Sequence, residues 1–199
     1  MKRLSVILTC LLFLATLSAQ VNFGVRGGVH LNDISYDEGE IETEGRAGLV
    51  LGVFAEINLT DNFAVQPELA FMQKGYTYTL SGLAIDEEYR ILTNYIDVPV
   101  LAKLKFGDQT GFYLQAGPQF GYAVAQSIEV GGEDRGVELT DNDNYNRGEI
   151  TGVVGAGISI ASFFVDARYN LGLTSLQEND LVFGDSYNRG LTLSAGLKF

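Results

Sequence analysis

Eight times between Gln20 and Phe199 the chain alternates apolar with polar residues over about ten positions. No segment after residue 19 is apolar for the roughly 20 residues that a membrane-crossing helix requires. A period of two is the mark of a strand with two unlike faces. The first run sets Phe23, Val25, Val29 and Leu31 against Asn22, Arg26 and His30; the second sets Leu49, Leu51, Val53, Ala55, Ile57 and Leu59 against Gly48, Gly52, Glu56 and Asn58. The third has Phe63, Val65, Leu69 and Phe71 opposite Gln66, Glu68 and Lys74, and in the fourth the parity flips, with Ile96 to Phe106 apolar at even positions and Tyr95, Asp97, Lys103 and Lys105 polar. Phe112, Leu114, Ala116, Phe120, Tyr122 and Val124 form the fifth apolar face, and Ile150, Val154, Ala156, Ile158 and Ile160 the sixth. The seventh sets Phe163, Val165, Ala167, Tyr169 and Leu171 against Asp166, Arg168 and Asn170. The eighth, Leu191, Leu193, Ala195, Leu197 and Phe199 against Thr192, Ser194, Gly196 and Lys198, ends the chain on an aromatic. Eight tilted strands of this length predict an all-β fold, an eight-stranded antiparallel up-and-down transmembrane β-barrel.

The connections support the same fold. Those at 60–62, 107–110 and 161–162 are tight, whereas 32–46, 75–89, 126–148 and 172–189 are long. Short turns at one end and long loops at the other are the outer-membrane pattern, which predicts turns and both termini in the periplasm. Phe23, Phe63, Phe106, Phe112, Phe163 and Phe199 all stand at the short-turn end on the apolar face, as an aromatic girdle. Parity alone leaves open a soluble barrel of the lipocalin kind, apolar within and polar without. Gly24, Gly28, Gly48, Gly52, Gly117, Gly121, Gly155, Gly157 and Gly196 all fall on the polar side, however, and small residues belong on the crowded inner face of a narrow barrel.

The start of the chain reads as an export signal. Met1-Lys2-Arg3 precedes an apolar stretch to Leu17 and then Ser18-Ala19-Gln20, the organisation of a secretory signal peptide over 1–19, followed by a barrel domain over 20–199. The only cysteine, Cys10, lies inside that signal, so the exported part carries no disulfide. Without Lys2 and Arg3 the chain has 11 basic against 25 acidic residues, a formal charge of -14 that disfavours nucleic acid as a partner.

The segments Val65-Gln66-Pro67-Glu68-Leu69-Ala70-Phe71 with Lys74-Gly75, Tyr95-Ile96-Asp97-Val98-Pro99-Val100-Leu101-Ala102-Lys103, Ala116-Gly117-Pro118, and Ala167-Arg168-Tyr169 with Gly172-Leu173 resemble the outer-membrane β-barrel domain common in Bacteroidetes, the PorT-like or porin-family group. The resemblance covers the whole exported chain, with Asp97 where a glutamate is expected. It implies a small outer-membrane barrel with no agreed substrate or catalytic residues, in a family that includes an accessory component of a secretion system.

Inside such a barrel the pattern collects Arg26, Glu56, Glu68, Lys74, Asp97, Lys103, Lys105, Asp166, Arg168 and Lys198. Eight strands leave little aqueous lumen, so these charges are expected to pair as a plug, with Glu68 and Asp97 beside Lys103 and Arg168 at its centre. A narrow passive channel is the alternative. Pro67 and Pro99 lack a ladder donor and predict a bulge or irregular pairing near each. His30, the only histidine, offers a rim-located lipid-modifying enzyme as a further alternative, with Ser35, Asp33 or Ser81 as conceivable partners. No nucleophile motif such as G-x-S-x-G accompanies it, and the expectation is a non-enzyme without a cofactor.

The long loops hold 18 of the 25 acidic residues, which suits divalent cations shared with lipopolysaccharide. Asp141-Asn142-Asp143-Asn144 begins like a calcium loop but lacks its glycine and closing glutamate. Arg46, Arg147 and Arg189 each precede a strand entering from the long-loop side, Arg147 and Arg189 within a repeated Tyr-Asn-Arg-Gly, and suit contact with lipid phosphates. The expected partners are therefore outer-membrane lipid, the barrel-assembly machinery through the C-terminal strand, and divalent cations at the acidic loops.

Overall fold

The computed structural model describes residues 20–36, 43–81, 86–107, 110–130, 133–137, 147–174 and 186–199. They form nine strands: β1 Gln20–Tyr36, β2 Thr43–Asn58, β3 Phe63–Ser81, β4 Asp86–Phe106, β5 Thr110–Val130, β6 Glu133–Val137, β7 Gly148–Ile160, β8 Phe163–Gly172 and β9 Ser186–Lys198. Eight of them close an antiparallel ring in the order β1-β2-β3-β4-β5-β7-β8-β9, with β9 returning to β1. At the seam Phe23 and Phe199 exchange both backbone hydrogen bonds, at 3.1 and 2.8 Å, so the final residue completes the ladder. Closure leaves the ring without an edge, the condition for placing strands in hydrocarbon.

The alternation separates the two faces. Among the described residues 33 large apolar side chains are exposed, while the buried set contains 20 polar or charged residues and 11 hydrophobic ones. A soluble barrel would show the reverse, so the lipocalin alternative is excluded. About ten residues per strand, every second one facing outward, at roughly 3.4 Å each and tilted about 40°, give an apolar band about 25 Å tall.

The strands run further than the apolar alternation indicates. β3 and β4 stay paired out to Ser81 and Asp86, and β5 turns back into β6, pairing Gln126–Val130 with Glu133–Val137. Much of the expected 75–89 and 126–148 loops is therefore strand. The reason is that Tyr76-Thr77-Tyr78-Thr79 is rich in strand formers without alternating in hydropathy. The prolines interrupt pairing, as expected, but carry no bulge. The β2–β3, β3–β4 and β4–β5 ladders skip pairs beside Pro67, Pro99 and Pro118, yet register is the same on either side of each gap. The register shifts lie elsewhere, at Gly45/Val50 and Asn94/Tyr95. The signal segment 1–19, the Asp141–Asn144 stretch and most of the acidic loop residues lie outside the described residues.

The tightest turn, Ala161-Ser162, places Ala161 at φ 53°, where an L side chain crowds its own backbone. Positive φ at the first of two turn residues is the position that favours glycine. Ala161→Gly is expected to stabilise the barrel by about 1 kcal/mol, read as a higher urea midpoint of the folded gel band. An unchanged or lower midpoint would show that the turn carries no strain.

Candidate functional site: the charged lumen

Register explains why rings and charges share a narrow lumen. Phe54 pairs with Gly24, Phe164 with Gly196, and Tyr113 with Gly157. In each pair the ring occupies the space where the glycine lacks a side chain. Phe54 and Phe164 then meet edge to face at 5.5 Å between centroids. The charges pack directly against these rings: the Tyr113 hydroxyl donates to Asp166 at 3.2 Å, and the Lys103 ammonium lies 5.9 Å from the Phe164 centroid.

Four charged groups form the middle tier. Arg168 grips Glu68 with two parallel bonds, Nη1 to Oε2 at 2.9 Å and Nη2 to Oε1 at 2.8 Å. Arg26 Nη1 donates to the same carboxylate at 3.0 Å, and Gln66 Nε2 adds a fourth bond at 2.7 Å. Asp166 receives Arg168 at 3.2 Å, Ser194 at 2.6 Å, Gln115 at 3.0 Å and the Tyr113 hydroxyl at 3.2 Å, with Arg26 at 3.6 Å. Arg26 also donates to Ser194. Two cations thus meet two anions, each buried, and the hydrogen bonds occupy nearly every lone pair, which offsets the desolvation of such groups.

Toward the short-turn end, Lys103 binds Glu56 at 2.8 Å and Gln66 at 3.0 Å, so Gln66 links Glu56 to the middle tier. The Lys103 ammonium also stands 3.8 Å from the centroid of the Tyr113 ring. Toward the long-loop end lies a separate tier. There Lys74 binds Glu149 at 2.7 Å and approaches Asp97 at 3.8 Å, while Gln119 donates to Asp97 at 2.9 Å. Between the two, Gly28, Gly52, Ala70, Pro99, Gly117 and Val153 present little beyond backbone and methyl groups.

Arg26, Glu56, Glu68, Lys103, Asp166 and Arg168 are therefore brought together, but Asp97 is not at their centre. The layer of small residues separates it, and its partner is Lys74. Glu149 is hard to recognise from sequence because it directly follows an acidic loop and precedes the first apolar residue of its strand; its odd-numbered parity with Thr151 is the signal that could have found it. His30 is buried, with Nδ1 2.9 Å from Thr192 Oγ1 and Nε2 3.3 Å from Asn32 Oδ1. Among the described side chains Thr192 and Asn32 are its hydrogen-bond partners, within the lumen; the side chains of Asp33, Ser35 and Ser81 lie outside the described ones. Among the described residues no group of three or more His, Cys, Asp or Glu side chains is placed to hold a metal.

On the outside, Phe23, Phe106, Phe112, Phe163 and Phe199 are exposed and Phe63 is half-buried, all at the short-turn end. Phe106 and Phe112 stack across their turn at 4.6 Å. At the other end Arg147 lies over the exposed Tyr122 ring, 5.1 Å from its centroid, Arg189 is exposed on β9, and Arg46 sits half-buried in the β2 bulge beside Gly75.

No curated protein matches the chain. Among solved structures, the attachment invasion locus protein Ail of Yersinia pestis is similar over 90% of this chain and 99% of its own, at 13% identity and a TM-score of 0.50, a likeness of fold. Neisserial surface protein A covers 89% and 97% at 15% identity with a TM-score of 0.47, and OprG from Pseudomonas aeruginosa 91% and 97% at 12% with 0.46. The family model described as outer membrane protein beta-barrel domain matches residues 16–178. A closed ring with an apolar outer wall and a charged core is the form that such a match requires, and the chain belongs to the outer membrane protein beta-barrel domain family.

Proposed function

We propose that the protein is a non-catalytic, non-conducting envelope barrel that works through its outer surface and its loops. The observation that carries this reading is the middle tier: Glu68, with a side chain at 0% exposure, is held by Arg26, Arg168 and Gln66 across the width of the lumen. Passage of ions or solutes would require breaking several charge-assisted bonds inside a low-dielectric core. Reconstituted into planar bilayers, the protein is expected to leave the membrane no more conductive than bare lipid. Stepwise conductance in potassium chloride would favour the narrow-channel reading.

In this reading the short turns and both termini face the periplasm, and the six phenylalanines form the girdle at that interface. Arg147 and Arg189, with Tyr122 beside the first, lie at the opposite interface and contact lipid phosphates, including those of lipopolysaccharide. The C-terminal strand, whose last residue completes the seam with Phe23, is the segment presented to the assembly machinery. Because the exported chain carries no cysteine, orientation is directly measurable. In intact cells a membrane-impermeant maleimide is expected to label Asn142→Cys in a long connection and to leave Asp61→Cys in a short turn unlabelled. The opposite pattern would invert the barrel.

A further inference from the structure

The short-turn mouth of the lumen is unbalanced in charge. Three ammonium groups converge on one carboxylate: Lys103 at 2.8 Å from Glu56 Oε2, Lys105 at 3.6 Å from Oε1, and Lys198 at 3.9 Å from Oε2. Among the described residues Glu56 is the only carboxylate within ion-pair distance of Lys105 or Lys198. Lys103 spends its donors on Glu56 and Gln66 and faces the Tyr113 ring, so its charge is compensated. Lys105 and Lys198 differ in being partly open to solvent, with side chains 22% and 17% exposed. Their remaining contacts are neutral, Asn58 for Lys105 and Ser159 at 3.4 Å for Lys198.

The three lysines and one glutamate at this mouth sum to +2 among themselves, in a chain whose formal total is -12. The Phe54–Phe164 pair forms an apolar wall beside it, which lowers the local dielectric and strengthens any charge interaction there. Like charges held around one acceptor repel each other, so the arrangement gains from a second anion.

We propose that this mouth is a binding site for a phosphate-class oxyanion, taken between the Lys105 and Lys198 ammonium groups with Asn58 and Ser159 as neighbouring polar groups. The oxygens of such an anion accept from both lysines, while Glu56 remains on Lys103. Free inorganic phosphate and the headgroup of a phospholipid at the same interface share this chemistry.

The folded protein in non-ionic detergent micelles is titrated with inorganic phosphate, against sodium chloride at matched ionic strength, and the urea midpoint is read from gel migration. Phosphate is expected to raise the midpoint and chloride to leave it unchanged, as for any ligand that binds only the folded state. The rise is expected to vanish in the double variant Lys105→Gln/Lys198→Gln, whose partly exposed side chains make it a mild change to the fold. A second arm replaces phosphate with phosphatidylglycerol doped into the micelles. Stabilisation that inorganic phosphate cannot displace assigns the site to the headgroup; stabilisation that it displaces assigns it to the free oxyanion. Glu56→Gln removes the competing carboxylate and is expected to tighten phosphate binding roughly tenfold, where a purely structural Glu56 would leave affinity unchanged. No effect of either anion, or an effect that survives the double substitution, overturns the proposal.

Discussion

Replacing Glu68 with Ala is expected to cost about 3–5 kcal/mol of folding free energy, enough to leave much of the protein unfolded in a urea titration that the parent survives. The substitution removes the acceptor for both Arg168 nitrogens, for Arg26 and for the Gln66 amide, and leaves two buried guanidiniums with Asp166 as their one anion. Uncompensated charge in a narrow core is costly because neither water nor a second carboxylate can reach it. Glu68→Gln retains an acceptor and loses the charge, so it should fall between the parent and the alanine variant. Lys105→Gln, whose side chain is partly exposed, should cost no more than about 1 kcal/mol. A Glu68→Ala midpoint within about 1 kcal/mol of the parent would mean that the middle tier contributes packing without charge pairing.

Gly196→Val is expected to destabilise by about 3 kcal/mol or more, and to slow formation of the heat-modifiable band. Gly196 lies on the closing strand β9, directly opposite Phe164 and close to the Phe23–Phe199 seam. A side chain there would run into the carbonyl oxygen of Val25 and the edge of the Phe164 ring at once. The carbonyl belongs to the β1 backbone and cannot move aside without opening the ladder, and the ring is held against Phe54. Gly27→Ala is the informative comparison. It sits on the outward face of β1, where the added methyl group meets only Leu51 Cδ2 at 3.4 Å and the Val50 carbonyl oxygen at 3.9 Å, and should cost less than about 1 kcal/mol. Equal costs at the two glycines would show that strand propensity, rather than the lumen, governs the closing pair.

The two faces are legible in the residues themselves because membrane and lumen impose opposite demands on successive positions. Leu191 to Phe199 reads correctly as in and out by parity alone. So do the identities of most lumen charges: Arg26, Glu56, Glu68, Lys103, Asp166 and Arg168 all lie on the polar side of their runs. The extent of the strands is less legible, since β3 and β4 continue beyond the apolar belt through residues that favour extended backbone without alternating. The prolines mark where pairing is irregular, because the missing donors interrupt the ladder beside them, whereas the bulges appear at Gly45/Val50 and Asn94/Tyr95, which carry no such local signal.

Local periodicity is enough to dictate the closed barrel, the number of strands crossing the apolar band, the end that carries the short turns, and which side chains face inward. Each follows from the rule that every backbone group in hydrocarbon must be paired, applied to runs that carry their own two faces. Which inward residues meet is a property of the assembled ring alone. Glu68 and Arg168 are 100 positions apart, and whether they touch depends on the stagger accumulated around eight strands, which no single run encodes. The same stagger places Asp97 with Lys74 instead of Arg168, sets three lysines around Glu56, and lays Phe54, Phe164 and Tyr113 over the glycines that make room for them.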